Sequence, residues 1–348
     1  MIPIKIIGNT YLQTAGAIQP TDVYEAINLN KSGGKDVNYQ VTFRITEACD
    51  LQCSYCHWNG GRHYSYSDIT ASLDKLFEFF QKHRFKSVVF YYHGGEATRH
   101  PRVVDVLKYI KDKSKETGII AYNEMQTNLT VSVDRLAAIL EYCDQLDITF
   151  HYLELRNRSY KLKAFLKNWK YLVDTNYQIH NFDVMLEYIP QEYLPEFYNH
   201  VEEFLTYNNI INSEMVYRFG YAYAYNEETD KQHLEFYKKH NKTEQTYNID
   251  GKVYSTNDLF KDGVNCINWQ CAAGTETITI NGDGNVFNCG IHMTGYIRKF
   301  PEIPYTNLVT DPVALSKMSV LYKTGTRCKW DYCGGDFYLS RTKPNDNN

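Results

Sequence analysis

The sequence predicts an α/β fold, a partial (β/α)6 barrel, on two observations. Six β-rich runs alternate with amphipathic helical stretches, the pattern of parallel strands joined by crossover helices. The segments that carry glycine, cysteine and polar side chains in unusual groupings stand directly after such runs, and ligands in parallel α/β folds collect at the C-terminal ends of the strands. A separate cysteine-containing region near the C-terminus predicts a small appended unit built around a β-hairpin.

The elements follow in order. Tyr39–Ile45 reads as the first strand, and Thr70–His83 as a helix with Leu73, Leu76, Phe77 and Phe80 at helical spacing. Ser87–Tyr92 (SVVFYY) is a buried strand, Arg102–Lys115 a helix, Ile119–Gln126 a strand and Val133–Tyr142 a helix. Asp147–His151, Lys161–Val173, Asn181–Glu187, Leu194–Leu205 and Glu214–Phe219 continue the alternation. Gln232–Asn241 reads as a polar helix leading into a linker. The organisation is therefore an N-terminal extension over 1–38, a barrel over 39–225, a linker and helix over 226–265 and a C-terminal unit over 266–348.

Composition narrows the class. A chain of 348 residues with 43% hydrophobic content can bury a sizeable core and still carry an appended module. A net charge of −4 lacks the basic footprint of a nucleic-acid binder. No apolar run approaches the roughly 18 residues of a membrane span, and the first residues lack the charged and apolar segments of a signal peptide. Nine cysteines, an odd number clustered at metal-ligand spacing, point to reduced thiols and a cytoplasmic setting.

The chemistry is concentrated in Cys49-Asp-Leu-Gln-Cys53-Ser-Tyr-Cys56, directly after the first strand. Iron–sulfur cubanes held by protein alone take four thiolates, so three in one loop leave one iron open, and open coordination separates catalytic from structural metal sites. The alternative is a structural zinc loop, but zinc knuckles come as paired C-x-x-C units and this loop has one. The spacing of three residues and then two, with its surroundings from Ile45 to Trp58, resembles the radical S-adenosylmethionine (radical SAM) superfamily. The resemblance implies a radical SAM barrel with a [4Fe–4S] cluster on Cys49, Cys53 and Cys56. In that family the open iron is chelated by SAM. Reduction cleaves SAM to methionine and a 5′-deoxyadenosyl radical, which takes a hydrogen atom from an unactivated C–H bond. The aromatic residue before the last cysteine, here Tyr55, is implied at the adenine.

Three further segments fit the resemblance. Gly94-Gly95-Glu96, after the second strand, resembles the family's GGE motif, which binds the SAM amino group. Paired glycines let backbone carbonyls approach a ligand, and an acid can accept from an ammonium. Gln126-Thr127-Asn128, after the third strand, resembles the polar segment beside SAM and substrate; an ordinary polar turn is the alternative. His151 and Glu187 close the fourth and fifth strands and are candidates for ligand or acid–base roles, or for ordinary structural ones.

Near the C-terminus, Thr277–Ile280 and Val286–Asn288 flank Asn281-Gly-Asp-Gly284, a hairpin with Cys271 and Cys289 at its ends, and Cys328 and Cys333 follow. This region resembles the SPASM and twitch extensions of radical SAM enzymes, which implies an auxiliary [4Fe–4S] cluster. Six cysteines remain outside the first loop, too few for two such clusters, and Cys143 reads as a buried core thiol. One auxiliary cluster on Cys271, Cys289, Cys328 and Cys333 is the assignment; a structural zinc site on the same ligands stays open. Cys266 is left over, either to replace a ligand or to return a hydrogen atom to a substrate radical.

The expected function is radical SAM modification of a peptide or protein residue by epimerisation, crosslinking or oxidation. A small-molecule dehydrogenase or epimerase acting on a sugar or aminocyclitol is the alternative within enzymes, because the segment before the first strand is short for a leader-recognition domain. A non-catalytic iron–sulfur carrier or SAM-binding regulator is the alternative outside them. The family chemistry also implies a low-potential electron donor such as a flavodoxin or ferredoxin.

Overall fold

Six strands run parallel in sequential order: β1 (Tyr39–Arg44), β2 (Ser87–Tyr92), β3 (Ile120–Thr127), β4 (Gln145–Phe150), β5 (Ile179–Leu186) and β6 (Val216–Tyr221). Between them lie α1 (Tyr66–Lys82), α2 (Val103–Thr117), α3 (Val133–Leu140), α4 (Tyr152–Arg156), α5 (Ser159–Asp174) and α6 (Leu194–Ile210). The computed structural model describes residues 39–53, 56, 61–177, 179–210, 216–221, 231–233, 235, 236, 239, 246–249, 252–255, 270, 271, 273–275, 277–288, 304–324, 326, 327, 341 and 342. The expected extension over 1–38 lies outside the described residues.

The expected βα alternation is the one observed, with shifted boundaries. α1 begins four residues earlier than Thr70, because Ser65 takes an extended N-cap conformation and its carbonyl accepts from Ile69 N at 3.0 Å. α2 stops at Gly118, whose φ of 72° gives the left-handed cap that a glycine adopts without strain. α3 ends at Leu140 rather than Tyr142, and Cys143 lies in the turn before β4, buried, with its thiol donating to Gln145 O at 3.1 Å. The short helix α4 was not expected; it follows His151 directly and is too brief to show a helical period.

One face of the sheet carries Val41, Phe43, Phe90, Met125, Ile148, Phe150, Phe182 and Val184, all buried against Leu73, Phe77, Leu107, Leu136, Phe165 and Trp169 of the helices. Each such side chain contributes about 2 kcal/mol through its removal from water. Alternation then puts Thr42, Arg44, Tyr91, Glu124, Gln126, Asp147 and Thr149 on the opposite face. Tyr91 Oη on β2 donates to Asp147 Oδ2 on β4 at 3.2 Å, passing over β3, and Gln126 Nε2 donates to Thr149 Oγ1 at 3.2 Å. A contact across an intervening strand requires that face to be concave, so the polar side chains line the inside of the partial barrel.

The C-terminal hairpin forms where expected, as β10 (Thr277–Asn281) and β11 (Asn285–Phe287) around Gly282-Asp283-Gly284. It extends the barrel sheet itself. β10 pairs parallel with β1 from Gln40↔Thr277 to Arg44↔Asn281, and β12 (Thr306–Asn307) follows β11, for the order β12-β11-β10-β1-β2-β3-β4-β5-β6. Two small sheets stand apart: β7 (Thr246–Ile249) with β8 (Lys252–Ser255), and β9 (Gln270–Cys271) between β13 (Thr326–Arg327) and β14 (Arg341–Thr342). Helix α7 (Ala314–Thr324) packs Tyr322 against Phe79 and Phe85. The described residues among 231–239 are helical, but this helix is not wholly polar in setting: His233 is fully buried and its Nε2 lies 2.8 Å from Glu187 O.

Candidate active site and metal centre

The loop that leaves β1 is closed at its base by main-chain bonds: Tyr64 N to Ile45 O at 3.3 Å and Glu47 N to Arg62 O at 2.9 Å. Thr46 Oγ1 accepts from Ala48 N at 3.0 Å and lies 2.8 Å from His63 Nδ1. Tyr64 Oη donates to Glu47 Oε1 at 2.8 Å and receives Arg62 NH2 at 2.8 Å, with the guanidinium 4.4 Å from its ring centre. The hairpin turn supports this base from below, since Gly282 N donates to Arg44 O at 2.8 Å and a Cβ on Gly282 would stand 2.4 Å from Tyr64 Cβ. The three cysteines are thus carried on a loop whose two ends are fixed.

Within the loop, Cys53 is buried and Cys49 and Cys56 are half-buried. Cys56 N donates to Cys53 O at 2.9 Å, turning the chain between the last two cysteines. Cys49 Sγ receives Leu51 N at 3.4 Å and Asn128 Nδ2 at 3.8 Å. Burial above all, with the nearby Glu96 carboxylate, pushes the Cys49 thiol up to about 12, so a bound cation is what would hold it as thiolate. Among the described residues no three His, Cys, Asp or Glu side chains converge on the position of a single metal ion. Three thiols on one loop are a donor set that a cubane could use, since each thiolate there takes a different iron.

The glycines after β2 are required by packing. Gly95 N donates to Thr46 O at 3.1 Å and Glu96 N to Ala48 O at 2.8 Å, laying this turn along the start of the cysteine loop. A Cβ on Gly95 would lie 2.4 Å from Ala48 O and 2.6 Å from Glu47 C, and Gly94 has φ of 128°. Glu96 is buried and its carboxylate is already engaged. Oε1 receives Thr98 Oγ1 at 2.5 Å, Thr127 Oγ1 at 2.8 Å and Thr98 N at 3.3 Å, and Oε2 receives Asn128 N at 2.7 Å. Burial raises this carboxyl above its ordinary value despite those donors. The side chain therefore ties the turn after β2 to the end of β3.

The Gln126-Thr127-Asn128 segment closes the third side of the loop. Thr127 bonds Glu96, whereas Gln126 points to the concave face, where it meets Thr149. Asn128 Nδ2 reaches Asp50 Oδ1 at 3.1 Å as well as Cys49. Asp50 is the residue that sequence reasoning missed. Its Oδ2 accepts from Lys161 Nζ and, at 2.8 Å, from Thr130 Oγ1; Arg158 NH1 donates to its carbonyl at 2.8 Å and Arg158 NH2 to Gln52 Oε1 at 2.7 Å. Burial works against the charge of Asp50, but the bonds from Lys161, Thr130 and Asn128 outweigh it and hold the carboxyl below its ordinary value. Asp50 was visible between two cysteines, but nothing in SYKLKAFLKNWK marks Lys161 as the lysine that is buried.

His151 and Glu187 lie one residue past β4 and β5, neighbouring strands. Burial lowers His151 to about 4, which keeps the ring neutral. Glu187 Oε1 accepts from Leu153 N at 3.1 Å, and burial pushes its carboxyl up to about 7. Tyr55, Cys266, Cys289, Cys328 and Cys333 lie outside the described residues, as does the side chain of Cys271. The backbone of β9 pairs Cys271 with Thr326 and Arg341. No helix among the described residues is long and apolar enough to cross a membrane.

Comparison with known proteins agrees with this geometry. The profile of the Radical SAM superfamily matches residues 43–201. Streptococcus suis SuiB bound to precursor peptide SuiA is similar at 12% identity and a TM-score of 0.50, over 87% of this chain and 70% of that one. SuiB bound to S-adenosylmethionine is similar at 12% identity and a TM-score of 0.51, over 87% and 69%. Histidine-tagged anSMEcpe with bound AdoMet is similar at 13% identity and a TM-score of 0.51, over 82% and 80%. At these identities the likeness is one of fold. No curated protein matches the chain in sequence. The match to the Radical SAM superfamily spans residues 43–201, which hold the three-cysteine loop after β1, the Gly-Gly-Glu turn packed along that loop and strands β2 to β5 of the parallel partial barrel.

Proposed function

We propose that the protein is a radical SAM enzyme that abstracts a hydrogen atom from a residue of a peptide or protein substrate, for epimerisation, crosslinking or oxidation. The observation that carries this reading is the docking of the cysteine loop onto Gly95 and Glu96 by main-chain bonds of 3.1 and 2.8 Å, at the open end of a polar-lined barrel. Cys49, Cys53 and Cys56 would hold a [4Fe–4S] cluster, which would supply the electron for reductive cleavage of SAM. Because the Glu96 carboxylate is occupied by Thr98, Thr127 and Asn128, the SAM ammonium is assigned to backbone carbonyls of Gly94 and Gly95. Tyr55 is assigned to the adenine, and Gln126 and Thr127 to the side of the pocket bounded by β3.

The concave face then receives the substrate. Glu187, with a carboxyl poised near neutrality, is the proposed proton-transfer group, and neutral His151 a hydrogen-bonding neighbour on the adjacent strand. The peptide class is supported by the fold shared with SuiB, whose structure holds its precursor peptide. One auxiliary [4Fe–4S] cluster on Cys271, Cys289, Cys328 and Cys333 is proposed in the C-terminal unit. The pairing of Cys271 with Thr326, two residues before Cys328 in sequence, supports it. Its role is electron transfer or support of the fold, and Cys266 is the proposed hydrogen-atom donor to the substrate radical. A low-potential flavodoxin or ferredoxin is the proposed electron source.

Anaerobic reconstitution with iron and sulfide, followed by reduction and addition of SAM, tests the reading. Formation of 5′-deoxyadenosine with about eight irons per chain, four for each cubane, supports it. A full iron count with no product, and no response of the reduced cluster's EPR signal to SAM, would favour an electron carrier.

A further inference from the structure

The environment of Cys49 carries a second, more specific conclusion, which rests on the reading of Cys49, Cys53 and Cys56 as cluster ligands. Asn128 Nδ2 stands 3.8 Å from Cys49 Sγ, within hydrogen-bond range for sulfur, and its orientation is fixed by its neighbours. Asn128 Oδ1 accepts from Thr130 N at 3.2 Å, so the oxygen faces Thr130. The amide nitrogen is directed at Asp50 Oδ1, 3.1 Å away, and an ionised carboxylate is an acceptor only. Asp50 is in turn held by Lys161 and Thr130 and through its carbonyl by Arg158. Segments far apart in sequence thus converge to aim one amide N–H group at one cysteine sulfur, and Asn128 itself is buried.

We propose that Asn128 donates a hydrogen bond to the Cys49 thiolate of the cluster and thereby raises its reduction potential, with Asp50 as the positioning residue that aims the amide. A donor to a thiolate withdraws electron density and favours the reduced, more negatively charged cluster. Hydrogen bonds to the sulfurs are one of the levers that set iron–sulfur potentials. The Leu51 backbone N–H, at 3.4 Å from the same sulfur, acts in the same sense but cannot be removed by a side-chain change. This role of Asn128, directed at the Cys49 sulfur, is distinct from contact with SAM itself.

The test is an anaerobic potentiometric titration of the reconstituted full chain, following the SAM-responsive EPR signal at saturating SAM, in wild type, Asn128→Ala and Asn128→Asp. Both variants remove the donor, and the aspartate keeps the size of the side chain. The expected result is a full iron complement with a more negative midpoint in both. The reduced-to-oxidised ratio at fixed potential should fall by up to about tenfold, equivalent to about 59 mV for a one-electron couple. Asp50→Ala, which removes the acceptor that orients Asn128, should broaden the signal and shift its g-values. Midpoints equal to wild type in both Asn128 variants would overturn the proposal. So would loss of iron from both, which would make Asn128 a support of the loop instead of a tuning group. Absence of any SAM-responsive signal in wild type would instead refute the underlying assignment of the cysteines.

Discussion

Replacing Glu187 by glutamine perturbs a single proton, and the structure determines both the sign and the size of the effect. Glu187 is partly buried just past β5, and burial pushes its carboxyl up to about 7 from an ordinary 4.5. Glutamine keeps an oxygen for the bond from Leu153 N, which is 3.1 Å from Glu187 Oε1 in the native protein. Below about pH 4.5 the glutamate is protonated in both folded and unfolded chains and has no effect on stability. Between about 4.5 and 7 the unfolded chain has lost the proton and the folded chain retains it, so stability falls as pH rises; above 7 the penalty is complete. At 1.36 kcal/mol per pH unit the raised value corresponds to about 3 kcal/mol, and residual solvent screening reduces this to roughly 2 kcal/mol. Anaerobic urea unfolding of wild type and Glu187→Gln at pH 5 and pH 8 measures it. The variant should be the more stable protein by roughly 2 kcal/mol at pH 8, with most of that difference absent at pH 5. A difference of the same size at both pH values, or a variant less stable at pH 8, would refute the reasoning. If Glu187 also moves a proton in turnover, the rate of the wild type should change near pH 7 and that limb should vanish in the variant.

Other changes separate the roles assigned around the loop. Gly95→Ala would place a Cβ 2.4 Å from Ala48 O and 2.6 Å from Glu47 C, both backbone atoms that cannot rotate away. A loss of about 1–3 kcal/mol and a fall in iron bound by the loop are expected in thermal unfolding and iron analysis, and a variant equal to wild type in both would contradict the docking argument. Cys53→Ala should abolish 5′-deoxyadenosine formation while leaving about four irons, those of the auxiliary cubane; SAM cleavage at the normal rate would invalidate the cluster assignment. Cys266→Ala should keep the iron count of wild type but lose product formation downstream of SAM cleavage, and a loss of about four irons would mark Cys266 as a ligand instead.

Much of the barrel was legible in the sequence because parallel βα units write their period into it. SVVFYY and the spacing of Leu73, Leu76, Phe77 and Phe80 report burial directly, and strands β1 to β6 stand where those patterns put them. Element ends were less legible, since caps such as Ser65 and Gly118 act through backbone geometry. The three cysteines and the Gly-Gly-Glu turn were recognisable because their chemistry requires fixed residue types at fixed spacing. The internal partners of Glu96 were not: Thr98, Thr127 and Asn128 all donate to its carboxylate, two of them from the end of β3.

The sequence by itself determined the succession of strands, the three-cysteine loop and the resemblance to the radical SAM superfamily, because each depends on local period or on residues adjacent in the chain. Tertiary structure alone decided that the C-terminal hairpin lies against β1 and supports the cysteine loop through Gly282. It also decided that Asp50, Asn128, Thr130, Arg158 and Lys161 form one network around Cys49. Those contacts join residues 78 to 111 positions apart in the chain, and no periodicity records a partner at such a distance. Only the packing of α5 and the end of β3 against the loop brings their donors within reach of one carboxylate and one sulfur.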